Sequence, residues 1–208
     1  MPLVRKPTGT AVAAEPDAAD VLRALGSANP DERWAAARAA AGVAGGAAAL
    51  SAALRTETDP RVREALFTSL VHIGGPQGTG ELVGFLRSDQ STMRSGALDA
   101  LRTLGGQLRG ILPQLLSDSD ADVRILSCEL ARVLPAEEAS SLLCALLAHE
   151  PDVNVCAAAI DVLAEVGSPA ARPILARCAA RFPHSAFLGF AVQIAMDRIT
   201  SESVRPRG

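Results

Sequence analysis

From residue 29 onward the apolar positions of the chain follow two periods at once. In DPRVREALFTSLVHIGG, residues 59–75, the positions −1, +3, +4, +7 and +10 from Arg63 are Val62, Leu66, Phe67, Leu70 and Ile73. That spacing is one face of a helix with 3.6 residues per turn. Counted from Arg94, the same offsets give Met93, Ala97, Leu98, Leu101 and Leu104. From Arg124 they give Val123, Ser127, Cys128, Ala131 and Leu134, and from Cys156 they give Val155, Ala159, Ile160, Leu163 and Val166. An alanine-rich version around Arg33 carries Ala36, Ala37, Ala40 and Val43. The five anchors lie 30, 31, 30 and 32 residues apart. A helical pattern repeating with a drifting period of this size predicts a solenoid of stacked helix pairs.

Polar residues mark where the anchor helices begin. Four residues before each anchor stand Asn29, Asp59, Gln90, Asp120 and Asp152. Asn and Asp side chains accept a free backbone N–H at a helix start, so these positions read as N-caps. Pro30 and Pro60 follow at the first helical position, where a missing N–H costs nothing. Between the anchor helices lie AAALSAALRTE, TGELVGFLRSD, LRGILPQLLSD, ASSLLCALLAHE and ARPILARCAARF, each about three turns long in pattern. Gly74-Gly75 and Gly105-Gly106 close two anchor helices, and Pro135 and Gly167 do so later. The unit is helix, turn, helix, short loop, and pairs of this kind fill residues 16–199. Phe182, Phe187 and Phe190 read as a cap over the open end of the stack. Residues 1–15 and 200–208 read as tails, the first with LVRKP as a candidate docking motif.

DPRVREALFTSLVHIGG and SDADVRILSCELARVLP resemble HEAT repeats, in the short bacterial form also found in phycobilin lyases. The resemblance covers residues 16–199. It implies an all-α fold, a right-handed α-solenoid (HEAT-like superhelix) of about six antiparallel helix pairs. It also implies a structural ladder in which Asp and Arg of the anchor helices pair along the stack. Asp59/Arg63 and Asp120/Arg124 fit that ladder, Asn29/Arg33 and Gln90/Arg94 fit it in part, and Asp152/Cys156 has lost the Arg.

Composition narrows the functions. The chain has 208 residues, 49% hydrophobic but only 3% aromatic, with no Tyr. Its core must therefore come from Ala, Leu, Val and Ile. The formal net charge of −3 lacks the basic excess that drives phosphate binding, which argues against nucleic acid and against a HEAT-like DNA glycosylase. Cys128, Cys144, Cys156 and Cys178 form no Cys-x-x-Cys pair and sit among apolar residues, as reduced thiols of a cytoplasmic protein do. No stretch approaches a membrane span, and no secretory leader is evident.

No nucleophile with its base, phosphate loop or metal cluster stands out, so no catalytic residue, cofactor or metal ligand is assigned. His149-Glu150 is a single dyad, whereas the HEAT-type iron hydroxylases use several. The positions left outside the core face are +1, +5 and +8 from each anchor, and they define a candidate protein- or peptide-binding stripe on the concave side. Its chemically expressive members are Trp34, Arg38, Glu64, Thr68, Asp99, Arg102, Glu129, Arg132 and Asp161. Trp34, the only Trp, is either a hot spot or a packed cap. Trp34 with Arg38, and Arg102 with Arg132, are the expected anchors for a partner. The expected function is a non-enzymatic adaptor, with two-component or chemotaxis signalling as the context implied by resemblance. The alternative is a phycobilin lyase-like chromophore-attachment subunit, against which the scarcity of aromatic residues counts.

Overall fold

A computed structural model describes residues 17–203. The tail expectations for 1–15 and 204–208, LVRKP included, lie outside the described residues. Among the described residues there is no strand, and twelve α-helices follow one another in pairs. The pairs are α1 (Ala18–Ala24) with α2 (Pro30–Ala40), α3 (Gly46–Leu54) with α4 (Pro60–Ile73), and α5 (Gly75–Phe85) with α6 (Ser91–Thr103). They continue as α7 (Leu112–Leu115) with α8 (Ala121–Leu130), α9 (Ala136–His149) with α10 (Val153–Val166), and α11 (Arg172–Arg181) with α12 (Ala186–Ser203). The second helices form one layer, α2 against α4, α4 against α6, and so on to α12. The first helices form the other layer, seen in α3 against α5 and α9 against α11. This is the expected α-solenoid, and α12 continues to Ser203, past the expected end of the array.

The anchor helices form where the caps direct them. Asp59 Oδ1 accepts from the N–H groups of Arg61 and Val62, and Asp152 Oδ1 from those of Asn154 and Val155. Asn29 and Asp120 each accept from the N–H two residues on. Gln90 has the same extended backbone but makes no side-chain cap bond. The Gln90→Asp variant is therefore expected to be more stable by about 0.5–1 kcal/mol, read as a raised urea midpoint.

The face defined by the offsets goes inside. Leu70, Leu101 and Leu163 are fully buried, as are Ala37, Ala97, Val123, Cys128 and Ile160. A core dominated by Leu and Ala lets backbones approach closely. After α4 the chain turns through Gly74 and Gly75, both at positive φ (58° and 53°). There an L side chain would be strained, so two glycines in a row end the helix sharply.

Two expectations change. LRGILPQLLSD is not a three-turn helix. It is a 3₁₀ segment, Gly105–Gly110, followed by the single turn of α7. Gly105, Gly106 and Gly110 favour no helix, and Pro113 removes an N–H from the ladder. Nor do the terminal phenylalanines seal the end. Phe187 and Phe190 on α12 are 68% and 67% exposed, and only Phe182 is half-buried. The buried face of α12 is Leu188, Val192, Ala195 and Ile199.

Candidate functional site

The anchor arginines do build a ladder, with partners other than the aspartates. Arg33 donates from Nε and Nη2 to both oxygens of Glu57, at 2.7 and 2.9 Å, and from Nη1 to the Ser27 carbonyl at 2.9 Å. Arg124 repeats this with Glu150, 2.9 Å on both arms, and with the Asp118 carbonyl at 2.7 Å. Each glutamate stands two residues before the next unit's cap and also accepts that cap's N–H. All five residues at this position (Ser27, Glu57, Ser88, Asp118 and Glu150) accept the cap N–H, so it is a structural column of its own. The aspartates cap; the glutamates carry the rungs. Glu150, read from sequence as half of a His-Glu dyad, is buried here, while His149 is exposed. The hydrogen bond from Arg33, with the N–H donors of Asp59 and Thr58 behind it, holds the Glu57 carboxyl below its ordinary value against the effect of burial.

Two rungs are open. Opposite Arg63 the column holds Ser88, too short to reach, and the buried Arg63 Nε has no hydrogen-bond partner. Opposite Arg94 it holds Asp118, which instead pairs with Arg87 from just beyond α5. In the fifth unit, where Cys156 replaces the anchor, Arg181 of α11 supplies the guanidinium. It reaches the Glu150 carbonyl, the counterpart of the Ser27 and Asp118 carbonyls, at 3.2 Å. Ser88→Glu is expected to close the open rung and add about 1 kcal/mol. The gain should vanish in an Arg63→Ala background, as a double-mutant cycle would report.

The stripe expected to bind a partner is divided by the structure. Arg102 bonds Asp99 at 2.9 Å and lies 3.5 Å from Glu129. Arg132 bonds Glu129 at 3.1 Å, Asp161 at 2.7 Å, and Glu165. Both arginines thus belong to a second charge relay running across α6, α8 and α10. Trp34 is half-buried and packed on the core, with the guanidinium groups of Arg38 (4.8 Å) and Arg61 (5.1 Å) over its ring. Arg61 also pairs with Asp31, so this cluster joins α2 to α4.

Glu64, Thr68 and Asp99 come together in a groove of about 680 Å³ between α4 and α6. Pro60, Arg63, Phe67 and Val71 complete its α4 side, with Thr92, Gly96, Ala100 and Thr103 on the α6 side. Gly96 shapes it: a Cβ there would lie 2.4 Å from the Phe67 ring. Phe67 also packs edge-on to Phe85, with centroids 5.9 Å apart. Offset columns contain the signal that would have found this groove. At +4 the chain reads Ala37, Phe67, Leu98, Cys128, Ile160, and at +2 it reads Ala35, Ala65, Gly96, Leu126, Ala158. The one aromatic residue of the first column meets the one glycine of the second across adjacent helices.

Among the described residues no group of three or more His, Cys, Asp or Glu could hold a metal ion. No described helix is long and apolar enough to cross a membrane. Cys128 is pushed up to about 12 by burial, so its thiol is inert.

A family model of HEAT repeats matches residues 15–102 and 108–186. No curated protein matches the chain. Among solved structures, an engineered protein is similar at 21% identity and TM-score 0.42, covering 89% of this chain and 97% of that one. A designed armadillo repeat protein is similar at 17% identity and TM-score 0.37, covering 86% and 98%. The complex of CpcE and CpcF of phycocyanin lyase from Nostoc sp. PCC7120 is similar at 17% identity and TM-score 0.36, covering 96% and 98%.

Proposed function

Because the chain belongs to the HEAT-repeat family, we propose that it is a non-enzymatic scaffold that seats a segment of a partner protein in the groove between α4 and α6. The observation that carries this reading is the groove itself, a preformed apolar recess on the second-helix layer. Phe67, Val71 and Ala100 supply its apolar lining, and the exposed carboxylates of Glu64 and Asp99 also line it. Asp99 is already paired with Arg102, so such a surface favours an apolar side chain, with Glu64 open to an Arg or Lys beside it. Because helices hold the walls in place, little ordering cost opposes binding.

The test begins with affinity capture from the source cell, followed by titration of the captured protein with the purified chain. The reading requires that binding be lost when the groove is filled and retained when an exposed site on the other layer is changed. The identity of the captured protein decides whether it belongs to a two-component or chemotaxis assembly, as the sequence resemblance implies. Incubation with a bilin and an apo-phycobiliprotein separates the scaffold from the lyase alternative. The scaffold yields no covalent coloured adduct, and an adduct would replace this reading.

A further inference from the structure

The open rung at Arg63 differs from the closed ones by the length of one side chain. Glu57 and Glu150 reach the guanidinium groups of Arg33 and Arg124 with both oxygens. Asp118, one bond shorter, pairs with Arg87 rather than with Arg94. Ser88 is shorter still, and the buried Arg63 Nε is left without an acceptor. The loop around Ser88 is nonetheless set as in the closed rungs. Its Oγ accepts the Gln90 N–H at 3.3 Å, as Glu57 and Glu150 accept the N–H of their caps. Its carbonyl accepts from Arg94 at 2.7 Å, as those of Ser27 and Asp118 do from Arg33 and Arg124. Ser88 is half-buried between α5 and α6, with Arg87, Asp89 and Gln90 exposed around it.

We propose that Ser88 is a phosphorylation site whose phosphate supplies the acid that the Arg63 rung lacks. Counted from Cβ, the terminal oxygens of phosphoserine lie the same number of bonds away as those of glutamate. A phosphate on Ser88 therefore places its oxygens where Glu57 and Glu150 place theirs, and it bonds a guanidinium by charge-assisted hydrogen bonds. The start of α6 adds to the attraction, because this anchor helix has no side-chain cap on its positive end. In the modification, the Ser88 Oγ attacks the γ-phosphorus of a nucleoside triphosphate held by a protein kinase. The bond from that phosphorus to the bridging oxygen breaks, the nucleoside diphosphate leaves with the electron pair, and the hydroxyl proton is released. Ser27, in the same column, stands ahead of the first anchor arginine, and its Oγ already donates to Glu32 at 2.5 Å. Closing the Arg63 rung ties α4 to the start of α6, and Arg63 and Thr92 both line the groove between these helices.

The full chain, incubated with ATP and a soluble extract of its source cell, is digested and read by mass spectrometry. The expected product carries phosphate at residue 88 and none at residue 27. A second preparation carries phosphoserine placed at residue 88 during synthesis. Its urea midpoint should rise by about 0.5–1 M over the unmodified chain, and most of that rise should be lost in the Arg63→Ala variant. By phosphorus NMR, the second ionisation of the phosphate should fall below its ordinary value of about 6 and return towards it in Arg63→Ala. No phosphate at residue 88 in the extract, an unchanged midpoint, or an ionisation indifferent to Arg63 would each overturn the proposal.

Discussion

The Thr68→Trp variant is expected to bind the partner at least about tenfold more weakly than the parent chain while folding normally. Thr68 is exposed on α4 and lines the groove. An indole at this position can occupy part of the 680 Å³ recess without displacing a core residue. Filling a recess that receives an anchoring side chain removes the contact that dominates such an interface. Stability should change by no more than about 0.5 kcal/mol, as is usual for surface substitutions. The matching control is Ala52→Trp, at an exposed position on α3 in the other layer. It adds the same indole and should leave the affinity unchanged. Calorimetric titration of both variants reads the difference, and equal loss in the two would assign the effect to the indole rather than the groove.

The second large effect concerns the rungs. Arg124→Ala is expected to cost about 2–4 kcal/mol, because it strands Glu150, whose side chain is 3% exposed. Arg63→Ala should cost less than about 1 kcal/mol, since Arg63 keeps only one hydrogen bond, to the Thr58 carbonyl, and its Nε is already unpartnered. Two substitutions at equivalent positions in the repeat should thus differ severalfold, as urea denaturation would show. Arg124→Lys should restore only part of the loss, because an ammonium cannot bond both Glu150 oxygens and the Asp118 carbonyl in the same geometry. The rungs also contribute a pH dependence. The Glu57 carboxyl is held below its ordinary value in the folded chain. Its contribution is therefore present above the unfolded glutamate value of about 4.3 and is lost as pH falls through the lower, folded value.

The solenoid was legible because local rules agree along the chain. Asp59-Pro60, the 3.6-residue spacing from Val62 to Leu70, and Gly74-Gly75 each point to the same helix. The fourth unit departed because Gly110 and Pro113 outweigh the apolar spacing of LRGILPQLLSD. The ladder was legible in its arginines and not in its acids. A cap four residues before the anchor is a local feature, but Glu57 and Glu150 lie 24 and 26 residues ahead of the arginines they meet. Only the stacking of units brings them together. For the same reason Arg102 and Arg132 read as free anchors, although Glu129, Asp161 and Glu165 of adjacent helices engage them. Phe187 and Phe190 read as a cap over the open end of the stack; the Leu188, Val192, Ala195 and Ile199 face of α12 took the core instead, and both rings stand exposed.

Hydrogen–deuterium exchange of the chain with and without its captured partner tests the central claim most directly. Binding in the groove predicts slowed exchange confined to α4 and α6, at residues 60–71 and 92–103. Protection centred instead on the exposed Phe187 and Phe190 of α12, with α4 and α6 unchanged, would contradict it.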